Sequence, residues 1–148
     1  MGFHTPNQLE ALYLADTPVN CLLEVEALIQ TERGFSGVSK SPQVLLSIEY
    51  KLNSVIDIVD IGAQTNINTN VQELTVSWRF MNAQGQLAPT QNLGEVVYSM
   101  QQVEALKVPS AKVANADNLV VFPARISGDS FLRVFDDSGT IKSQITSQ

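Results

Sequence analysis

The apolar residues of this chain fall into short blocks of two kinds, and that pattern constrains its fold more than any other feature. Ala105 to Val108, Leu119 to Phe122 and Phe131 to Phe135 are runs too short for stable helices and of the right length for buried strands. Gln43 to Lys51, which holds Val44, Leu45, Leu46, Ile48 and Tyr50, reads as a further strand. Val55 to Ile61 is β-branched and alternates around Asp57 and Asp60, as a strand or strand end does. Behind Pro89-Thr90, by contrast, Leu93, Val96, Val97 and Met100 recur at helical spacing, which predicts a helix with that stripe in the core. Strand and helix signals interleave without the strict alternation of a βαβ chain. The expectation is an α+β fold, a central mixed β-sheet flanked by helices.

The N-terminal third carries the clearest local signals. Leu9 to Ala15 is short and mostly apolar, hence a strand. Thr17-Pro18 is a helix start: threonine caps, and proline at the first helical position loses no hydrogen bond. Cys21, Leu22, Val25, Leu28 and Ile29 then recur at helical spacing, which predicts a helix to about Gln30, with Gly34 marking its end or the loop after it. Gly62 to Asn70 reads as a loop or a short capped helix, and Leu74 to Phe80 fits strand or helix equally. From Gly139 onward the tail is polar and expected to fray. No Pro/Gly cluster forms a linker, and a length of 148 residues suits a single domain, with its core over about residues 3–136 and a polar tail over 137–148.

Composition removes several function classes. A net charge of −6, from 15 acidic and 9 basic side chains, argues against direct nucleic-acid binding, which requires a basic face. One cysteine cannot build a disulfide framework or a multi-cysteine zinc site. No run approaches the length of a membrane span, and the first residues lack the basic-then-apolar pattern of a signal peptide, so a cytoplasmic location is expected. Neither standard Gly-rich phosphate loop is present. The one histidine, His4, reads as a solvated bystander, and a Ser-His-Asp triad would depend on it. Cys21 lies on the apolar stripe of its helix and reads as a small packing residue. Asp57 and Asp60 fall on opposite faces of a strand, which favours loop-facing or strand-ending roles over a metal-binding pair. Trp78 reads as a core or edge residue.

Three segments taken together resemble the RES-domain family, named for its Arg, Glu and Ser residues. Ala11-Leu12-Tyr13-Leu14-Ala15-Asp16-Thr17-Pro18-Val19-Asn20-Cys21-Leu22-Leu23-Glu24-Val25 is similar to the family's strand, Ser/Thr-Pro turn and Glu-bearing helix. Val108-Pro109-Ser110-Ala111-Lys112 resembles its Pro-Ser-Ala-Arg segment, with lysine in place of arginine. Asn118-Leu119-Val120-Val121-Phe122-Pro123 is similar to the strand that follows. The resemblance implies a compact fold related to ADP-ribosyltransferases. It also implies an enzyme that cleaves the nicotinamide–ribose bond of NAD by hydrolysis, phosphorolysis or ADP-ribosyl transfer. NAD would be the substrate, with no resident cofactor and no metal. Implied partners are a helix-turn-helix antitoxin and a second copy in a homodimer.

Carried over residue by residue, the resemblance implies catalytic roles for Glu24 and Ser110 and substrate-binding roles for Tyr13 and Lys112. A carboxylate near the ribose would stabilise the oxocarbenium-like transition state. Ser110 would bond a ribose or phosphate oxygen, and Tyr13 would stack on or bond the substrate. Lys112 lacks the bidentate fork of an arginine. Glu26, two residues past Glu24, is expected to point elsewhere. The family's arginine precedes a phenylalanine, and here Phe3 follows Gly2, so the N-terminal Arg segment and the strand before it are expected to be missing. An arginine lost from a buried diphosphate contact costs roughly 2–5 kcal/mol. That favours, as the alternative, a truncated or repurposed binding module without catalysis.

Overall fold

The computed structural model describes residues 10–38, 42–75, 78–86 and 89–147. Gly2, Phe3, His4, Leu9 and the side chain of Trp78 lie outside what it describes, and the expectations attached to them with it. In chain order the elements are β1 (Leu12–Ala15), α1 (Pro18–Glu24), β2 (Leu28–Thr31), β3 (Gly34–Gly37), β4 (Ser47–Lys51) and β5 (Val55–Asp57). Then come α2 (Ile61–Asn66), α3 (Val71–Leu74), α4 (Trp78–Ala83), α5 (Pro89–Ser99), β6 (Ala105–Pro109), β7 (Asp117–Val121), a 3₁₀ turn at Pro123–Arg125, β8 (Phe131–Phe135) and β9 (Gln144–Thr146).

The architecture is α+β, as expected. Its centre is a mixed four-stranded sheet in the order β1-β7-β6-β5, antiparallel except for the parallel β5–β6 pair. A parallel pair needs a crossover, and α2 to α5 supply it. One face of this sheet packs Leu106, Val108, Val120 and Phe122 against Leu74, Val97 and the partly buried Leu93 and Tyr98, so α3 and α5 cover it. The other face packs Ala105 and Val121 against Ile126, Leu132 and Ile48, so a three-stranded sheet, β4-β8-β9, covers that side. The side-chain alternation of β6 and β7 sends their residues into these two clusters in turn. Among the described residues no helix is long and apolar enough to cross a membrane.

The capping signal at Thr17 acts as expected. The backbone N–H of Asn20 donates to Thr17 Oγ1 at 3.1 Å, and Pro18 opens α1. Replacing Thr17 with alanine removes that acceptor and is expected to lower the unfolding free energy by about 1 kcal/mol in urea titration. Gly62 to Asn66 belongs to a short capped helix, and 67–70 is the turn that leads to the next. Asp60 accepts from Ala63 N at 2.8 Å to cap α2, and Asn70 accepts from Glu73 N at 3.0 Å to cap α3. Asp57, at the end of β5, accepts from Val59 N at 2.9 Å, so both aspartates serve backbone turns. The segment 78–83 resolves to helix.

The structure corrects five expectations. The first helix stops at Glu24 and not near Gln30. Glu26 takes a left-handed conformation (φ 58), while Ala27 N bonds Leu22 O at 2.8 Å and Glu26 N bonds Leu23 O at 3.1 Å. These bonds make a Schellman stop, built without the usual glycine and therefore invisible as a motif. Leu28 and Ile29 belong instead to β2, whose hairpin with β3 turns through Glu32-Arg33, and Gly34 (φ 112) opens β3. The strand expected from Gln43 begins only at Ser47, and Val44 is 83 % exposed. Ile61 is the first residue of α2, so the strand from Val55 ends at Asp57. On α5, Val97 is buried but Val96 and Met100 are exposed. Rotation by about 100° per residue centres the covered arc on Gln91, Gly94, Val97 and Tyr98, and Met100 lies past the helix end. Finally, the tail does not simply fray: Gln144 to Thr146 pairs with β8 as an edge strand. Cys21 is half-buried.

Candidate active site

Ser110 and Asn118 extend the helix-covered face of the central sheet. Val108 and Val120 lie in the cluster on that face, and strand alternation puts Ser110 two residues beyond the first and Asn118 two before the second on the same side. The register pairs Val108 with Asn118, and Ser110 N bonds Ala116 O at 2.8 Å as the strands separate. On the neighbouring strand Ala15 pairs with Asn118 and Tyr13 with Val120. The short Asp16-Thr17 turn then reverses the chain into α1, and the helix ends on Glu24.

Three polar side chains from three elements meet there. Glu24, Ser110 and Asn118 are 8 %, 7 % and 5 % exposed. The Ser110 hydroxyl donates to Glu24 Oε1, and Asn118 Nδ2 donates to the same oxygen at 2.7 Å. Ser110 Oγ in turn accepts from the backbone N–H groups of Lys112 (3.1 Å) and Val113 (2.9 Å). A buried carboxylate is costly unless hydrogen-bonded, and here neutral donors supply the bonds. The arrangement is a carboxyl group held through one oxygen at the end of an apolar face.

The expected site residues divide accordingly. Glu24 and Ser110 come together as direct hydrogen-bond partners. Tyr13 lies on the same face of the sheet and packs against its hydrophobic cluster, as a strand-core tyrosine would. Lys112 does not join the buried cluster: its Nζ bonds Glu26 Oε1 at 2.6 Å, in a pair with side chains 38 % and 62 % exposed. Glu26 points away from the buried cluster, as expected from its place in the sequence. Asn118, which the sequence marks only as part of a strand motif, is the third member of the cluster. Its signal was an amide at the start of an otherwise apolar run, Leu119-Val120-Val121-Phe122.

Sequence reasoning missed a second buried carboxylate. Glu104 stands immediately before β6 and is 0 % exposed. Its Oε2 accepts from Asn53 N (2.7 Å), Ser54 N (3.1 Å) and Ser130 Oγ (3.0 Å), and its Oε1 from Ser127 N and Oγ, both at 2.9 Å. Burial pushes this carboxyl up, but the bonds from Ser127, Asn53 and Ser130 outweigh it and hold the pKa below the ordinary value. With every oxygen occupied, Glu104 is a structural clamp between the β4–β5 turn and the segment before β8. Among the described residues no group of His, Cys, Asp or Glu is arranged to hold a metal ion.

No curated protein matches this chain, and no solved structure matches it. The RES domain family does, over residues 3–138, a span that includes Glu24, Ser110, Asn118 and every strand but the last. The three segments read from the sequence and the family match agree: this chain belongs to the RES domain family.

Proposed function

We propose that the chain is an NAD-consuming enzyme of RES type, with Glu24 as its central catalytic group. The observation that supports this reading is the convergence of Glu24, Ser110 and Asn118, all buried, from a helix, a turn and a strand. Three buried polar side chains joined to one another are more than packing alone requires. In the reaction, the bond between ribose C1′ and the nicotinamide ring nitrogen breaks, and its electron pair leaves with nicotinamide. An acceptor oxygen, from water, phosphate or a protein side chain, bonds C1′ and releases its proton. The carboxylate stabilises the positive charge on the ribose between those events.

Proton NMR of the purified protein with NAD, with and without phosphate, tests the reading. Free nicotinamide is the expected product, and phosphate dependence identifies the acceptor. The same reading includes a toxin role in the cytoplasm, with a helix-turn-helix antitoxin as partner and a homodimer as the assembly. A host expressing the Glu24→Ala chain is expected to grow better than one expressing the unmodified chain; equal growth counts against the toxin role. A monomer by light scattering, with no co-purifying partner, would remove the assembly part. The second reading is a non-catalytic binding module on the same fold. A folded sample that releases no nicotinamide decides for it.

A further inference from the structure

We propose that Ser110 and Asn118 act on the reaction only through Glu24, as positioning residues, and that Glu24 Oε2 is the oxygen presented to the ribose. This rests on the NAD-consuming reading above and assigns the work within its site.

A serine hydroxyl has one hydrogen and two lone pairs. At Ser110 both lone pairs are taken, by the N–H groups of Lys112 and Val113, and the hydrogen goes to Glu24 Oε1. Nothing remains for a ribose or phosphate oxygen, which is the contact the family resemblance would give this residue. The short Ser110–Val113 turn thus orients the hydroxyl. Asn118 Nδ2 reaches the same Oε1 from β7, at 2.7 Å. Two donors on one oxygen, from two separately anchored elements, fix the plane of the carboxylate. Among the described residues no hydrogen bond reaches Oε2, so the two oxygens differ: one is held, the other open. An open oxygen on a carboxylate already fixed in orientation can meet a developing cation without reorganising, which is where electrostatic catalysis gains most. Since neither Ser110 nor Asn118 touches the substrate in this arrangement, their loss disturbs the geometry of Glu24 and not the affinity for NAD.

The test is a kinetic split measured by nicotinamide release from NAD. Ser110→Thr and Ser110→Val are matched in shape and differ in the hydroxyl; Asn118→Leu keeps bulk and removes the donor. Ser110→Thr is expected to retain kcat within about threefold, while Ser110→Val and Asn118→Leu lower it roughly tenfold to a hundredfold. KM for NAD should stay within about twofold throughout, the pattern of an interaction expressed in the transition state alone. A rise in KM with kcat unchanged, in either variant, overturns the proposal, because it means direct contact with NAD. Unchanged kinetics in both variants overturn it as well. Circular dichroism identifies any variant that has lost its fold, and the other then carries the split. Unfolding of both the Val and Leu variants, with the Thr variant intact, overturns it in favour of a purely structural role. If the unmodified, folded chain releases no nicotinamide, the NAD-consuming reading itself fails, an outcome distinct from all of these.

Discussion

Replacing Glu104 with glutamine is expected to lower the unfolding free energy by about 3–5 kcal/mol, a large part of the total for a domain of this size. Glutamine keeps the shape, so no cavity explains the loss. The cause is the donor count. Three N–H groups and two hydroxyls converge on Glu104, and an amide turns one acceptor into a donor facing other donors. Either amide orientation strands buried backbone groups of Asn53 and Ser54 or of Ser127. Urea titration at neutral pH measures the loss, and a change under about 0.5 kcal/mol would remove the clamp from the account of this fold.

The same carboxylate sets a pH dependence. Its folded-state pKa lies below the ordinary value of 4.5, so the unfolded chain binds the proton more readily. The stability it contributes is therefore complete above that value and is lost as pH falls through the folded value. Asp129 beside it behaves alike: the Lys51 ammonium and the Asn53 amide hold its carboxyl down at about 2. Acid unfolding monitored by circular dichroism should show the unmodified protein losing stability below pH about 4.5, with a shallower dependence in Glu104→Gln.

Glu24→Gln is expected to reduce nicotinamide release roughly a hundredfold to a thousandfold while leaving the protein folded. The argument turns on what glutamine preserves. Its carbonyl oxygen can still accept from Ser110 and Asn118, so the bonds that hold the side chain survive. Only the charge at the open oxygen disappears, and with it the stabilisation of the ribosyl cation. The unfolding free energy should change by less than about 1 kcal/mol. Activity retained at more than half the original rate would exclude Glu24 as the group that meets the ribose. The contrast with Glu104→Gln is itself informative: two buried carboxylates, one with an oxygen left open and one with both oxygens filled.

Much of this arrangement was legible from residue types. Thr17-Pro18 started its helix because a cap acts within one turn and needs only its own side chain, whereas the caps at Asp60 and Asn70 emerged only in the structure. The short runs before and after Ser110 were strands because so few apolar residues can bury themselves no other way. Less legible was the end of α1. Val25, Leu28 and Ile29 keep a helical period, but the backbone reverses at Glu26 and gives Leu28 and Ile29 to a hairpin. Periodicity reports which residues share a face, and a four-residue strand after a tight turn imitates it. Glu104 was overlooked because a carboxylate in an apolar run reads as a strand boundary until its partners, 23 to 51 positions away, are known.

The α+β class, the cap at Thr17 and the family could be read before the fold was known, since each depends on residue types in a local order. The sequence also singled out Glu24 and Ser110. How they are used depends on the folded arrangement of distant segments. Ser110 lies 86 positions from Glu24, and Asn118 lies 94. What unites them is the register of β6 against β7, the turn that carries the chain from β1 into α1, and the early stop of that helix. Lys112 shows the converse: it is next to Ser110 in the chain, yet its side chain goes to Glu26 at the surface. Hydrogen-bond geometry is set by distances of a few ångströms between segments, and no local pattern of residues encodes those distances.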